Sequence, residues 1–236
     1  VKQLGELLNL KTLPNRMECY DISHISGTDK VASMVVFEGG EPKKSHYRKF
    51  KIKTVEGNND FACMKEVLIR RLNEIAKNED ESFSSVPDLL VIDGGKGQLA
   101  YAMEAQKETG REDIEILSLA KREEEVFLGS SPTTSVILPK DSVALQLLQR
   151  IRDEAHRFAI TFHRNLRSKH LSESVLKAIP GVGNTICARL IKEFGSVEEI
   201  RLKTPEELAK IDGVSKALSE RIVARLNKND AEDAEE

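Results

Sequence analysis

No part of this 236-residue chain approaches a run of about eighteen consecutive apolar residues, which excludes a membrane-spanning helix. The N-terminus lacks the basic-then-apolar pattern of a secretory leader. It also lacks an initiator methionine, and the opening VKQLGELLNL reads as helix, as expected of a segment of a longer protein. Cysteine is scarce. Cys19, Cys63 and Cys187 form an odd, widely spaced set, which excludes a disulfide framework and a cysteine zinc site. They read instead as small reduced core residues of a cytoplasmic protein. Net positive charge is missing as well, the balance being -3 at pH 7.

The distribution of charge carries more information than its sum. KKSHYRKFKIK (43–53) holds six Lys and Arg and no acid, and Arg150 to Lys169 holds six against Asp153 and Glu154. The tail DAEDAEE is acidic, has no core-building pattern and reads as disordered.

The 39% hydrophobic content suffices for a packed core. RMECYDISHI (16–25), VASMVVFEGG (31–40) and HYRKFKIK (46–53) read as three strands of an antiparallel meander. Asn58, Asn59 or Asp60 then caps a helix to about Ala76, with Phe61, Met64, Leu68, Leu72 and Ile75 at helical spacing. A polar linker, KNEDESFSSVPD, follows. LLVID (89–93) is a continuous apolar run stopped by glycines, the pattern of a buried central strand. Gln98 to Lys107 reads as helix, and 114–120 and 125–138 as strand-like runs. Asp141 or Ser142 caps a long helix whose apolar stripe is Val143, Leu147, Ile151, Ala155, Phe158 and Phe162, followed by a short linker near Ser168–Ser174. The order predicts a mixed α/β layer fold over residues 1–170.

Beyond residue 171 the pattern changes. LKAIPGVGN (176–184) and LAKIDGVSK (208–216) repeat at a period of 32, aligning Leu176 with Leu208, Ile179 with Ile211, Gly181 with Gly213 and Leu190 with Ile222. Each copy reads as helix, tight hairpin, helix. Gly181, Val182, Gly183 and Asn184 form the first hairpin, where helix N-terminal amides suit a DNA phosphate. In the second, Gly213 is kept but Ser215 replaces the second glycine, which puts its phosphate contact in question. The pair resembles the tandem helix-hairpin-helix family, assigned to residues 171–228, with 229–236 as the acidic tail.

Asp21 interrupts an apolar strand and Asp93 ends another. Buried carboxylates demand a partner or a metal, and strand ends are where α/β proteins place sites. Two such aspartates on adjacent strands suit Mg2+ or Mn2+ and phosphodiester hydrolysis. Gln149, Arg152, His156 and His163 share one stripe of the long helix, and geometry alone does not choose between the two histidines.

YDISHISG, NNDFACMKEVLIRR, DLLVIDGGKGQL and LQRIRDEAHRFAITFHR together resemble successive motifs of UvrC, the excinuclease subunit of bacterial nucleotide excision repair. The resemblance implies the C-terminal half of such a protein: an RNase H-like mixed sheet with flanking helices, followed by the small all-α tandem. It implies a metal-dependent 5′ incision at a DNA lesion. It makes Asp21, Asp93 and His156 the catalytic and metal-holding set and associates Asp60 with incision. Lys96 and Gln98 of the glycine loop, with Lys44, Arg48 and Arg152, are then candidate phosphate or DNA contacts. The implied partners are lesion-bearing duplex or bubble DNA, a UvrB–DNA complex for the full-length protein, UvrA indirectly, and no membrane. The missing N-terminal parts of the family would remove 3′ incision and stable UvrB loading. Two other readings are a non-catalytic structure-specific DNA-binding module and an enzyme acting on RNA–DNA hybrids.

Overall fold

The computed structural model describes residues 1–24, 30–55, 57, 59–77, 80–121 and 124–232, without the side chains of 24, 162–171 and 228–232. Expectations for Asn58, for the Phe162 and His163 side chains and for the last four residues therefore lie outside the described residues. The chain divides into two compact units, Val1–Thr161 and Phe162–Glu236.

The first unit opens with α1 (Lys2–Leu7), then β1 (Arg16–His24), β2 (Lys30–Glu38) and the two-residue β3 (Glu41–Pro42). Gly39 and Gly40 turn the chain after β2 with φ of 61° and 87°, a backbone region that glycine enters without a Cβ clash. A single 3-10 turn, Lys44–His46, precedes β4 (Arg48–Lys51). The third strand is thus shorter than its sequence suggests, because this turn carries His46 inward to within 3.0 Å of the Arg16 guanidinium.

Next come α2 (Asp60–Glu74), α3 (Glu81–Ser84), β5 (Leu89–Asp93), α4 (Lys96–Thr109), β6 (Glu115–Ala120), β7 (Glu125–Leu128) and β8 (Ser131–Ile137). Asn59 is the α2 cap, its side chain accepting from the Ala62 amide. α5 runs from Val143 to Lys177, and Ser142 accepts from the Leu145 amide at its start. Its backbone is helical through 168–174, where a linker was expected. That segment has no glycine or proline to stop a helix.

The sheet order is β3-β2-β1-β5-β6-β7-β8, with β4 also paired to β2. β1 and β2 are antiparallel, while β1, β5 and β6 run parallel at the centre. Parallel neighbours need crossover connections, which α2 and α4 supply. All five residues of β5 are buried, as its unbroken apolar run predicted. In the first unit α5 buries Ala144, Leu145, Leu147, Leu148, Ile151, Ala155 and Ala159, so the expected Leu147, Ile151 and Ala155 are buried while Val143 at its first turn is exposed.

Alternation along β1 sends successive side chains to opposite faces. Arg16, Glu18 and Tyr20 meet α2 on one face. There the Arg71 guanidinium lies 2.7 Å from Glu18 Oε1 and 3.0 Å from Oε2, and Tyr20 donates to Oε2 at 2.7 Å. Arg16 donates to Glu18 Oε1 at 3.0 Å. The supposed linker 77–88 completes this network: α3 is capped by Asp80, and the carbonyls of Ser82, Phe83 and Ser85 accept from Arg16 and Arg71. Glu18 and Arg71 are wholly buried, so removing one partner leaves an uncompensated charge in the core.

In the second unit, α6 (Asn184–Phe194), α7 (Val197–Arg201), α8 (Pro205–Leu208) and α9 (Lys216–Glu232) follow the end of α5. α9 carries helical backbone into the first residues of the acidic tail. The core is built from the repeat: Leu176 and Leu208, and Leu190 and Ile222, are buried as matched pairs.

Arg71→Met is expected to destabilise the first unit by roughly 3–5 kcal/mol, measured by chemical denaturation. A loss below about 1 kcal/mol, typical of an exposed pair, would contradict the reading of this network as a buried anchor.

Candidate metal centre and helix-hairpin-helix surface

β1 and β5 pair through Met17–Leu89, Glu18–Leu90, Cys19–Val91 and Tyr20–Ile92. One further step sets Asp21 beside Asp93, at the roughly 4.8 Å spacing of neighbouring strands. Both side chains point to the face opposite the Glu18–Arg71 network, above the buried Cys19. Asp21 and Asp93 are buried. Burial pushes the Asp21 carboxyl above its ordinary value, the Asp93 charge pushes it further, and His156 and Lys121 oppose both. The same two carboxylates, after burial itself, raise the Cys19 thiol.

α5 covers this face. Ser33, opposite Asp21 in the β1–β2 register, donates to the Ala155 carbonyl at 3.2 Å. On the helix's other flank Tyr47 donates to Glu154 at 3.0 Å and meets Phe158 edge-on at 5.2 Å. So fixed, the helix brings His156 Nδ1 to 3.5 Å from Asp21 Oδ2. A pocket of about 330 Å³ is lined by Asp93, Lys121, Glu124, Arg152, Asp153 and His156.

Among the described residues neither oxygen of Asp93 accepts a hydrogen bond, although Lys121 Nζ lies 3.2 Å from Oδ2. The two observations differ because closeness of charge does not require hydrogen-bond alignment. A hard divalent cation takes oxygen ligands and tolerates few protein carboxylates, the rest coming from water and phosphate. A buried carboxylate with unengaged lone pairs beside a second one fits that requirement. Among the described residues no group of three or more His, Cys, Asp and Glu encloses an ion position. The fit is therefore that of an open two-carboxylate site rather than a closed cage.

The remaining residues singled out in the sequence divide clearly. Arg152 reaches the pocket, but its guanidinium holds Glu124 at 2.7 Å and Asp153 at 3.0 Å. Arg48 is paired with Asp80 at 2.9 Å, whereas Lys44 is exposed on its 3-10 turn. Lys96 opens α4, donates to the Thr133 carbonyl at 3.2 Å and lies over the Phe127 ring. Gln98 folds back over Gly94, filling the place a Cβ would take. Asp60 opens α2, in the opposite helix layer from Asp21, and does not line the pocket. Its neighbour Phe61, expected in the α2 core stripe, is 44% exposed, resting on Gly97 and stacked on Tyr101 at 5.6 Å. Lys121, Glu124 and Asp153 were missed. Lys121 follows β6, and only the β5–β6 register brings it to Asp93.

In the second unit Gly181 and Gly213 have φ of 99° and 90°, as the two hairpins require. Gly183 caps α6 without a side-chain bond, leaving the first-turn amides unoccupied by any cap. Asn184 is exposed at the first position of α6. Val182 is a correction to the proposed phosphate-contacting set: its side chain is buried and its amide donates to the Ile179 carbonyl at 3.0 Å. Ser215 accepts from the Leu218 amide at 3.2 Å, engaging a donor that the first hairpin leaves open. The two copies also clamp each other. Arg221 donates to the Pro180 carbonyl at 2.7 Å and Arg189 to that of Asp212 at 2.5 Å, pairs related by the 32-residue repeat. That spacing was present in the sequence, so the clamp was findable by extending the repeat to charged positions.

A carboxyl held above its unfolded value binds its proton more tightly in the folded state, so stability falls as pH rises past the ordinary aspartate value of 3.8. Asp21→Asn is expected to flatten this fall and raise the metal-free midpoint at neutral pH by a few degrees, read by thermal unfolding against pH. A lower midpoint would contradict the repulsion.

Residues 5–160 match the family model described as the UvrC RNAse H endonuclease domain, and 173–228 that of a SAM-like helix-hairpin-helix tandem. Proteins described as UvrABC system protein C are 49% identical in Solibacter usitatus, 48% in Methanococcoides burtonii and 44% in Bdellovibrio bacteriovorus. These alignments cover 94%, 98% and 100% of this chain, but only 34%, 37% and 38% of those proteins. The chain thus spans somewhat over a third of the length of these relatives. The crystal structure of human ENDOV aligns over 70% of this chain and 97% of its own, at 12% identity and a TM-score of 0.41. That likeness is too low to carry an argument. With residues 5–160 matched by that endonuclease-domain model and 44–49% identity to these relatives over nearly its whole length, the chain belongs to the UvrC family.

Proposed function

We propose that this chain is a divalent-metal-dependent endodeoxyribonuclease that makes the 5′ incision at damaged DNA in nucleotide excision repair. The observation that carries the proposal is the buried pair Asp21 and Asp93 on adjacent parallel strands, with His156 at 3.5 Å from Asp21 and both Asp93 oxygens without hydrogen bonds from the described residues. Asp21 and Asp93 would hold Mg2+ or Mn2+. When bound, the ion supplies the nucleophile activation and charge stabilisation that phosphodiester hydrolysis needs.

The chain's own residues do the rest. Asp21 orients the His156 ring through Nδ1, which leaves Nε2 as the atom that delivers a proton to the leaving oxygen. Ser33 and Tyr47 keep α5 in register so that this ring stays over the acidic pair. Asp60, at the first turn of α2, enters through the family resemblance alone. Lys44, Arg48, Lys96 and Arg152 contribute positive potential along the DNA path, Lys44 and Lys96 from exposed positions.

The first hairpin holds a backbone phosphate at the start of α6 through Gly183 and Asn184, with Gly181 shaping the turn. Gly213 and Ser215 make the second hairpin the weaker contact, because Ser215 already occupies a donor of α9. Such contacts read backbone rather than sequence, so lesion choice falls to partners: a UvrB–DNA complex for the full-length protein, and UvrA indirectly.

Nicking of supercoiled plasmid with Mn2+ or Mg2+ tests the proposal. Asp21→Asn and Asp93→Asn are expected to reduce nicking to background with DNA affinity retained, and His156→Ala to slow it by about 10²-fold or more. Nicking unchanged in both Asp variants would refute the site. DNA binding without any cleavage, in the full-length protein as well, would leave the reading of a non-catalytic DNA-binding module.

A further inference from the structure

We propose that Lys121 is a resident counter-ion of the acidic pair, holding Asp93 while no divalent cation is bound and yielding it when one arrives. The inference rests on the reading of Asp21 and Asp93 as the cation site.

Two adjacent buried carboxylates are costly without a compensating positive charge. Of the two permanent cations that line the pocket among the described residues, Arg152 is held by Glu124 and Asp153. Lys121 is differently placed. Its ammonium lies 3.2 Å from Asp93 Oδ2, while its side chain is 65% exposed and that of Asp93 is fully shielded. Its backbone is well anchored: Leu119 pairs with Asp93, and the Gly94 amide donates to the Leu119 carbonyl at 3.2 Å. The side chain thus reaches inward from a fixed strand end on a flexible four-carbon stem, and its head group has open solvent to return to.

The contact is one of charge and not of alignment, since neither Asp93 oxygen accepts a hydrogen bond from the described residues, Lys121 included. A monovalent ammonium in that position is displaceable by a divalent ion, which gains more from the same two carboxylates. On release, the ammonium stays at the mouth of the pocket, where the phosphate of a bound nucleic acid strand would meet it. Lys121 therefore has two consequences. It stabilises the metal-free fold, and it lowers the apparent affinity of the site for the divalent ion by competition.

The test uses the whole chain, titrated with manganese chloride in a calorimeter and unfolded thermally with and without saturating Mn2+. Lys121→Met and Lys121→Gln are expected to bind Mn2+ about tenfold more tightly than wild type. Both should unfold at a lower temperature without metal and at the wild-type temperature with it. Lys65→Met, which removes the same charge from a surface pair with Glu104 and Glu108, is the control and should leave Mn2+ affinity unchanged. Unchanged or weaker Mn2+ binding in both Lys121 variants, with binding abolished in Asp93→Asn, overturns this inference alone. Wild-type Mn2+ binding in Asp93→Asn overturns the cation site and this inference with it.

Discussion

Two carboxylates side by side on buried parallel strands are the constraint on which the first unit depends. Asp21 and Asp93 repel each other in a place where water screens them poorly, and burial alone already disfavours the Asp21 charge. The surroundings answer that cost with chemistry of opposite sign. His156 comes from α5, Lys121 from the end of β6, and Asp93 is left with oxygens that no donor among the described residues satisfies. A site that keeps such a tension has use for a cation, and the geometry leaves room for water and phosphate to complete its shell.

Holding that arrangement requires rigidity on both faces of the sheet. On the far face, Glu18 accepts from Arg71, Arg16 and Tyr20, and the α3 carbonyls of Ser82 and Phe83 accept further bonds from the two arginines. These bonds hold β1 in depth and register beneath the acids. On the near face, the Ser33 bond to Ala155 and the Tyr47 bond to Glu154 set the rotation of α5. A helix rotated by one residue, about 100°, would carry His156 away from Asp21. The second unit solves a separate problem, presenting two hairpins from a core built twice from one pattern. Reciprocal arginines tie each hairpin to the other copy's helix.

Much of this was legible in the sequence because its signals are local. The apolar run of β5, the Gly39–Gly40 turn, the Asn59 cap and the 32-residue repeat each state their structure within a few residues. Asp21 stood out as a charge in an apolar strand, and Asp93 as the stop of another. What was not legible depends on pairing between distant segments. Lys121 reaches Asp93 only through the β5–β6 register. The polar segment 77–88 looked like a linker because the buried arginines that need its carbonyls lie elsewhere in the chain. The basic stretch 43–53 showed its charge but not its pairings: Lys43 pairs with Glu38, Arg48 pairs with Asp80 and His46 turns inward. Val182 was read for its place in a hairpin, while its amide is engaged within that same turn.

The central claim is that Asp21 and Asp93 form one cation site. Anomalous diffraction from crystals of the chain soaked in Mn2+ addresses it directly. The account expects an anomalous peak within about 2.5 Å of carboxylate oxygens from both residues, with the Lys121 ammonium displaced from Asp93. A fully occupied peak elsewhere, with Lys121 still seated on Asp93, would contradict it.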